Sequence, residues 1–204
     1  MENNSSENTP EIPTLTYEYI NKLPILTFKG QIHLISTSVQ LENALSSLQD
    51  ESCVGFDTES RPSFAKGLNY PVSLIQLATP TEAFIIRFRF ATFSNSLISF
   101  LESSTEKIGV GIKDDIRKLK KEKVFTPKAM IDLSEIAKSK GHHKSSLRML
   151  SAYYLGQRIV KSAQKTNWAR ANLTEAQLRY AATDAWACLL IRPLLDNNTL
   201  AVSI

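Results

Sequence analysis

Apolar positions in this chain come first as short β-rich runs and later at helical spacing, and that change of period organises the reading. QIHLIS, residues 31 to 36, is strand-like and leads into SVQLENALSSLQ, where Thr37 and Gln40 have the T-x-x-Q spacing of a capping box. Three strands are then expected in succession: SCVGFDT, VSLIQLAT and EAFIIRF. Their connections contain Pro62, Pro71 and Pro80, and links this short suit antiparallel neighbours. Helix and strand alternate afterwards, with a helix around SNSLISFLES, a buried strand KIGVGI, a helix from about Asp115 and a short strand AMIDL. SSLRMLSAYYL reads as a helix closed by Gly156.

The last helix has the clearest boundaries. Thr174 and Gln177 form a capping box, Leu173 and Leu178 can make a hydrophobic staple, and Pro193 marks the stop. Leu178, Ala182, Ala185 and Leu189 form one apolar stripe, while Tyr180, Asp184 and Ile191 lie on another side. The expected fold class is α/β: a mixed sheet of three antiparallel strands followed by αβαβ, flanked by helices. Residues 1–25 are polar, with Pro10, Pro13 and Pro24 breaking any helix, and read as a flexible tail or a loosely packed arm ahead of one domain over 26–204.

Composition narrows the class. At 204 residues the chain suits one domain with a real core. No apolar run approaches the roughly 20 residues of a spanning helix. The first residues lack the basic cluster and apolar stretch of a secretory signal, so no membrane association is expected and the cytoplasm is the default compartment. Cys53 and Cys188 sit far apart in apolar segments and read as small buried hydrophobes. The net charge of +4 is unevenly placed: Lys107 to Arg170 holds 16 Lys/Arg against 5 Asp/Glu. That asymmetry favours a polyanionic partner.

The candidate chemistry is acidic. Asp57 and Glu59 stand two apart at the end of a strand, so both side chains share one face of the sheet. Like charges that close need a cation between them, and carboxylates on a rigid strand suit Mg²⁺ or Mn²⁺. Asp114 and Asp115 stand where a strand runs into a helix, and could equally cap it. Tyr180 and Asp184, four apart on the last helix, share a face, and Asp184 lies within AATDAWACLLI, where an unpaired carboxylate would be costly.

The order FDTE, GVGIKDD, YAATD resembles the three exonuclease motifs of the DEDD superfamily in its tyrosine branch, over roughly residues 30 to 195. That branch includes ribonuclease D, the proofreading domain of family A DNA polymerases and the Werner syndrome exonuclease domain. The resemblance implies a ribonuclease H-like fold and metal-dependent removal of nucleotides from 3′ ends. By motif, Asp57 and Glu59 match the first pair, Tyr180 and Asp184 the last, and D-x-x-K-L spacing favours Asp115 over Asp114. FDTESRPSF and NWARANLTEAQLRYAATDA are similar to stand-alone members, although Asn167 replaces a frequent aspartate and Ala171-Asn172 a common Arg-Pro.

The mechanism so implied uses two Mg²⁺ or Mn²⁺ ions. Asp57 would serve both, Glu59 and Asp184 the ion carrying the attacking water, and Asp115 the second, while Tyr180 orients the water. Lys113, Lys144 and Arg148 are the candidates for tracking phosphates and Phe64 or Tyr154 for stacking on bases, although solvated lysines and core aromatics are the stronger reading of each. Trp168 and Trp186 read as core, and His142-His143 as an exposed loop. The expected partner is nucleic acid with a free 3′ end. DNA is favoured over RNA because about ten residues follow Pro193, which leaves no room for the helical RNA-binding domains of ribonuclease D. RNA trimming like that of ribonuclease D, or a nucleic-acid-binding module with little activity, are the alternatives.

Overall fold

The computed structural model describes residues 12–63, 70–88, 93–161 and 163–202. Six strands form one sheet in the order β1-β4-β3-β2-β5-β6. They are β1 (Gln31–Ile35), β2 (Cys53–Ser60), β3 (Val72–Ala78), β4 (Glu82–Arg87), β5 (Glu106–Gly109) and β6 (Met130–Asp132). The β2–β3 and β3–β4 pairs are antiparallel, as the short connections led one to expect. The β2–β5 and β5–β6 pairs are parallel, each with a helix in its crossover. β1 lies parallel to β4 at the far edge. The expected α/β class with a mixed sheet between helices is the fold observed.

Alternation along β2 sorts the two faces. Val54 and Phe56 point into a core shared with Leu41 of α2 (Ser38–Ser47), Leu97 of α3 (Asn95–Leu101) and Leu119 of α4 (Lys113–Glu122). The other face is covered by α7 (Glu175–Asp196), whose Ala181, Ala182 and Ala185 pack on Leu74, Ala78 and Ile85. Beyond it lie α5 (Leu133–Ser139) and α6 (Leu147–Leu155), with Leu150, Leu133 and Ile191 in a common cluster. Small residues let α7 approach closely. A Cβ on Gly55 of β2 would stand 2.0 Å from the Ala185 carbonyl oxygen, so glycine is required there.

The caps are where the sequence places them. Thr37 with Gln40 and Thr174 with Gln177 form both capping boxes, and Gly156 closes α6 in the left-handed conformation at φ 61°.

Three expectations need correction. Residues 17–22, within the stretch read as a helix-free tail, form α1 (Tyr17–Lys22), started by the Thr16 side chain on the Tyr19 amide. Pro13 and Pro24 bound this helix without interrupting it, and Leu15 and Ile20 are buried against the α6–α7 side. Pro193 does not stop α7, which continues to Asp196: proline forfeits its own N–H bond, and the packing of the preceding turns on the sheet overrides that loss. His142 is buried, not exposed: its Nε2 lies 2.7 Å from the Tyr154 hydroxyl, and its ring contacts Tyr153.

Trp168 is buried as expected, and Trp186 is partly buried edge-on to Phe28. Cys188 is buried and Cys53 half-buried, and both are free thiols. Among the described residues no helix is long and apolar enough to cross a membrane.

Candidate active site

The site forms where β2 passes under α7. Strand period puts Asp57 and Glu59 on the face towards α7, and the helix lays Asp184 over them. One carboxylate oxygen from each of Asp57, Glu59 and Asp184 falls in a group whose members lie within 4.8 Å of one another. Gly55 makes this possible, because α7 could not sit so close to a side chain there.

Asp115 stands beside this group, in the first turn of α4, and is not a member of it. It reaches the end of β2 from the opposite face, where the Thr58 hydroxyl donates to its Oδ1 at 2.5 Å. Asp114 turns away into solvent and pairs with Arg117 at 2.9 Å. Of the two neighbours, Asp115 therefore faces the carboxylates.

All four acids are raised, with burial the largest cause for each. Asp57 is pushed well above the ordinary aspartate range by burial first, then by Asp184, Asp115 and Glu59. Glu59 rises to about 9 through burial, Asp184 and Asp115, with Lys118 opposing. Asp184 rises to about 7 through burial, opposed by the hydrogen bond from the Tyr180 phenol. Asp115 is raised by burial, against the Thr58 hydroxyl and Lys118. Tyr180 is held protonated, by burial first and then by Asp184. A proton or a cation must neutralise such a group.

A divalent cation fits these residues. Asp184 is 5% exposed and its Oδ1 is buried without a hydrogen-bond partner, so a lone pair is left for a ligand role beside two further carboxylates. Hard oxygen donors of this kind select Mg²⁺ or Mn²⁺ over softer ions.

Around the carboxylates lies a cavity of about 490 Å³, whose wall includes Arg148, Lys161 and Gln164 as well as Tyr180. Of the expected substrate contacts, Arg148 is in this wall. Lys144 lies over the Tyr17 ring on the neighbouring surface, and Lys113 is 74% exposed and paired with Glu135. Tyr154 is not a stacking platform, because it is buried with its hydroxyl on His142. Phe64 lies outside the described residues.

Three side chains were not singled out from the sequence. Thr58 holds Asp115, and as the residue between Asp57 and Glu59 it necessarily points to the α4 side. Lys118, the lysine of D-x-x-K-L, acts on Glu59 and Asp115 and donates to the Ser60 hydroxyl at 3.3 Å. Gln76 lies across from Asp57 on β3, wholly buried, with neither polar atom of its amide hydrogen-bonded. A glutamine amid VSLIQLAT was the signal for it.

A mixed sheet with carboxylates from its central strand and from the long helix across it defines a ribonuclease H-like hydrolase domain. The chain belongs to the 3'-5' exonuclease family, whose model matches residues 32–199. It is 33% identical over 188 residues to the mouse bifunctional 3'-5' exonuclease/ATP-dependent helicase WRN, covering 87% of this chain and 13% of that protein. With a 3'-5' exonuclease of Arabidopsis thaliana it shares 32% over 197 residues, 88% of this chain and 68% of the relative. Among solved structures, Escherichia coli RNase D, an exoribonuclease involved in structured RNA processing, superposes with a TM-score of 0.74 at 25% identity, over 83% of this chain and 45% of that one. The chain thus carries a 3'-5' exonuclease domain with an acidic cluster able to hold a metal ion, and it spans only 13% of the length of the mouse relative.

Proposed function

We propose that the protein removes nucleotides from a free 3′ end, DNA in preference to RNA, with two divalent ions and release of 5′-nucleoside monophosphates. The observation that carries this reading is the convergence of Asp57, Glu59 and Asp184 with an unpartnered Asp184 oxygen. Asp57, Glu59 and Asp184 would hold one ion and Asp57 with Asp115 the other, Mg²⁺ or Mn²⁺. When bound, such a pair activates water and steadies the charge on the leaving oxygen.

The chain's own residues do the rest. Tyr180, one turn from Asp184 and protonated, has a hydroxyl to orient the attacking water; it cannot serve as a base at neutral pH. The Thr58 hydroxyl donates to Asp115 and helps hold it beside the carboxylate group. Arg148 and Lys161 line the cavity as cations for the phosphates, and Lys144 extends the charge outside it. Lys113 belongs at the periphery of such a surface. What supports DNA over RNA is a modest difference in identity, 33% over 188 residues to the mouse exonuclease/helicase against 28% over 169 to the ribonuclease D of Haemophilus influenzae.

Matched DNA and RNA strands labelled at the 5′ end, given Mg²⁺ or Mn²⁺, test this. A ladder shortening from free 3′ ends, absent with a blocked end and faster on DNA, is expected. Asp57→Ala and Asp184→Ala should each lower the rate by at least about 100-fold. Equal rates for folded variants, or internal cuts, would overturn the reading.

A further inference from the structure

Near the carboxylate cavity, α1 brings an exposed aromatic ring against two cations. Tyr17 is 59% exposed. Its ring has the Lys144 ammonium 5.4 Å from its centroid and the Arg148 guanidinium 5.7 Å from it. Arg148 lines the cavity that contains Asp57, Glu59 and Asp184, so the ring stands at the margin of that cavity. The Arg148 fork is half used: one terminal nitrogen donates to the Asn21 side chain of α1, while Nε is buried without a hydrogen-bond partner. An unpaired guanidinium N–H is costly and fits an anionic oxygen.

A flat apolar ring flanked by cations, beside a site for a strand's end, is the composition that binds unpaired bases with their phosphates. The cavity, about 490 Å³, suits an object of nucleotide size, which leaves the preceding bases at its margin. α1 is held firmly enough to present the ring. Ile20 and Leu15 anchor it in the core, and the Thr16 cap and the Asn21–Arg148 bond fix its orientation. Tyr17 precedes residue 32, where the family match begins, whereas Lys144 and Arg148 lie within it.

We propose that Tyr17, Lys144 and Arg148 form a stacking subsite for single-stranded nucleic acid: a base just upstream of the 3′-terminal nucleotide lies on the Tyr17 ring, and its phosphate meets Arg148. The inference rests on the exonuclease reading for the direction of the strand, but not for binding itself.

Fluorescence anisotropy of a short 5′-fluorescein thymidylate strand in EDTA measures that binding without hydrolysis. Tyr17→Ala is expected to weaken it about 5- to 100-fold, and Tyr17→Phe to restore it. With Mn²⁺ the same variant should show its loss in KM, not kcat. A strand with abasic residues upstream of its 3′ end should bind wild type weakly and be indifferent to Tyr17→Ala. Equal affinity of wild type and Tyr17→Ala for the thymidylate strand would overturn the subsite. So would equal weakening on ordinary and abasic strands, since the ring would then merely support Arg148. Tyr17→Ala that melts well below wild type and is not rescued by Tyr17→Phe would show an edge of the fold, again overturning it. A wild-type protein that binds the strand but releases no nucleotide with Mn²⁺ would sink the exonuclease reading and leave this one standing.

Discussion

At the scale of single residues, the fold holds together acids that repel, and their titration should show it. Glu59 and Asp184 have folded values of about 9 and about 7, above the ordinary 4.5 and 3.8. A carboxyl raised on folding binds its proton more tightly in the native state. Its contribution is therefore complete below about pH 4 and is lost as pH rises, through about 7 for Asp184 and about 9 for Glu59. The melting temperature in EDTA should accordingly fall between pH 5 and pH 9, and saturating Mn²⁺ should restore it. Asp184→Asn removes one of these groups and should flatten the lower part of the decline. Scanning fluorimetry across buffers checks the slope; a rise with pH in EDTA would contradict the cluster's assignment. Tyr180 and Asp184 were legible as a pair from their spacing alone, because a helix fixes which residues share a face. The preference for Thr58 as Asp115's partner was not, because it joins a strand and a helix 57 residues apart.

At the scale of elements, the contact of α7 with β2 decides whether there is a site at all. The Ala185 carbonyl lies 2.0 Å from where a Gly55 Cβ would be, and backbone cannot yield as a flexible side chain can. Gly55→Ala should push α7 outward, costing about 1–3 kcal/mol in urea denaturation. It should also lower Mn²⁺ affinity by separating Asp184 from Asp57, which calorimetry would register. An alanine variant with native stability and metal uptake would mean that α7 does not set the site's spacing. Nothing local to SCVGFDT says what approaches its glycine. Pro193 teaches the converse: a strong local stop signal is overridden once the preceding turns are packed all along the sheet.

For the whole molecule, the N-terminal arm belongs with the core. Ile20 is wholly buried in a cluster with Leu150, Leu195 and Ile191, so Ile20→Ala should cost about 2–5 kcal/mol, read from the urea midpoint. A substitution in a free tail would cost nothing. Sequence reading missed this because α1 is six residues long and flanked by prolines, too short for a period to show. The basic half of the chain, by contrast, was legible as a charge count, and Arg148 and Lys161 from it line the carboxylate cavity.

What the amino-acid order determined by itself was everything that lives within one element: the strand and helix periods, both capping boxes, the paired faces of Asp57 with Glu59 and of Tyr180 with Asp184. Those follow from backbone geometry over a few residues, which no distant contact need supply. The tertiary structure alone decided that these faces meet, that Thr58 holds Asp115 and that Tyr17 stands beside the cavity. Each of these depends on which surfaces bury one another across long stretches of chain, and burial is a property of the assembled layers.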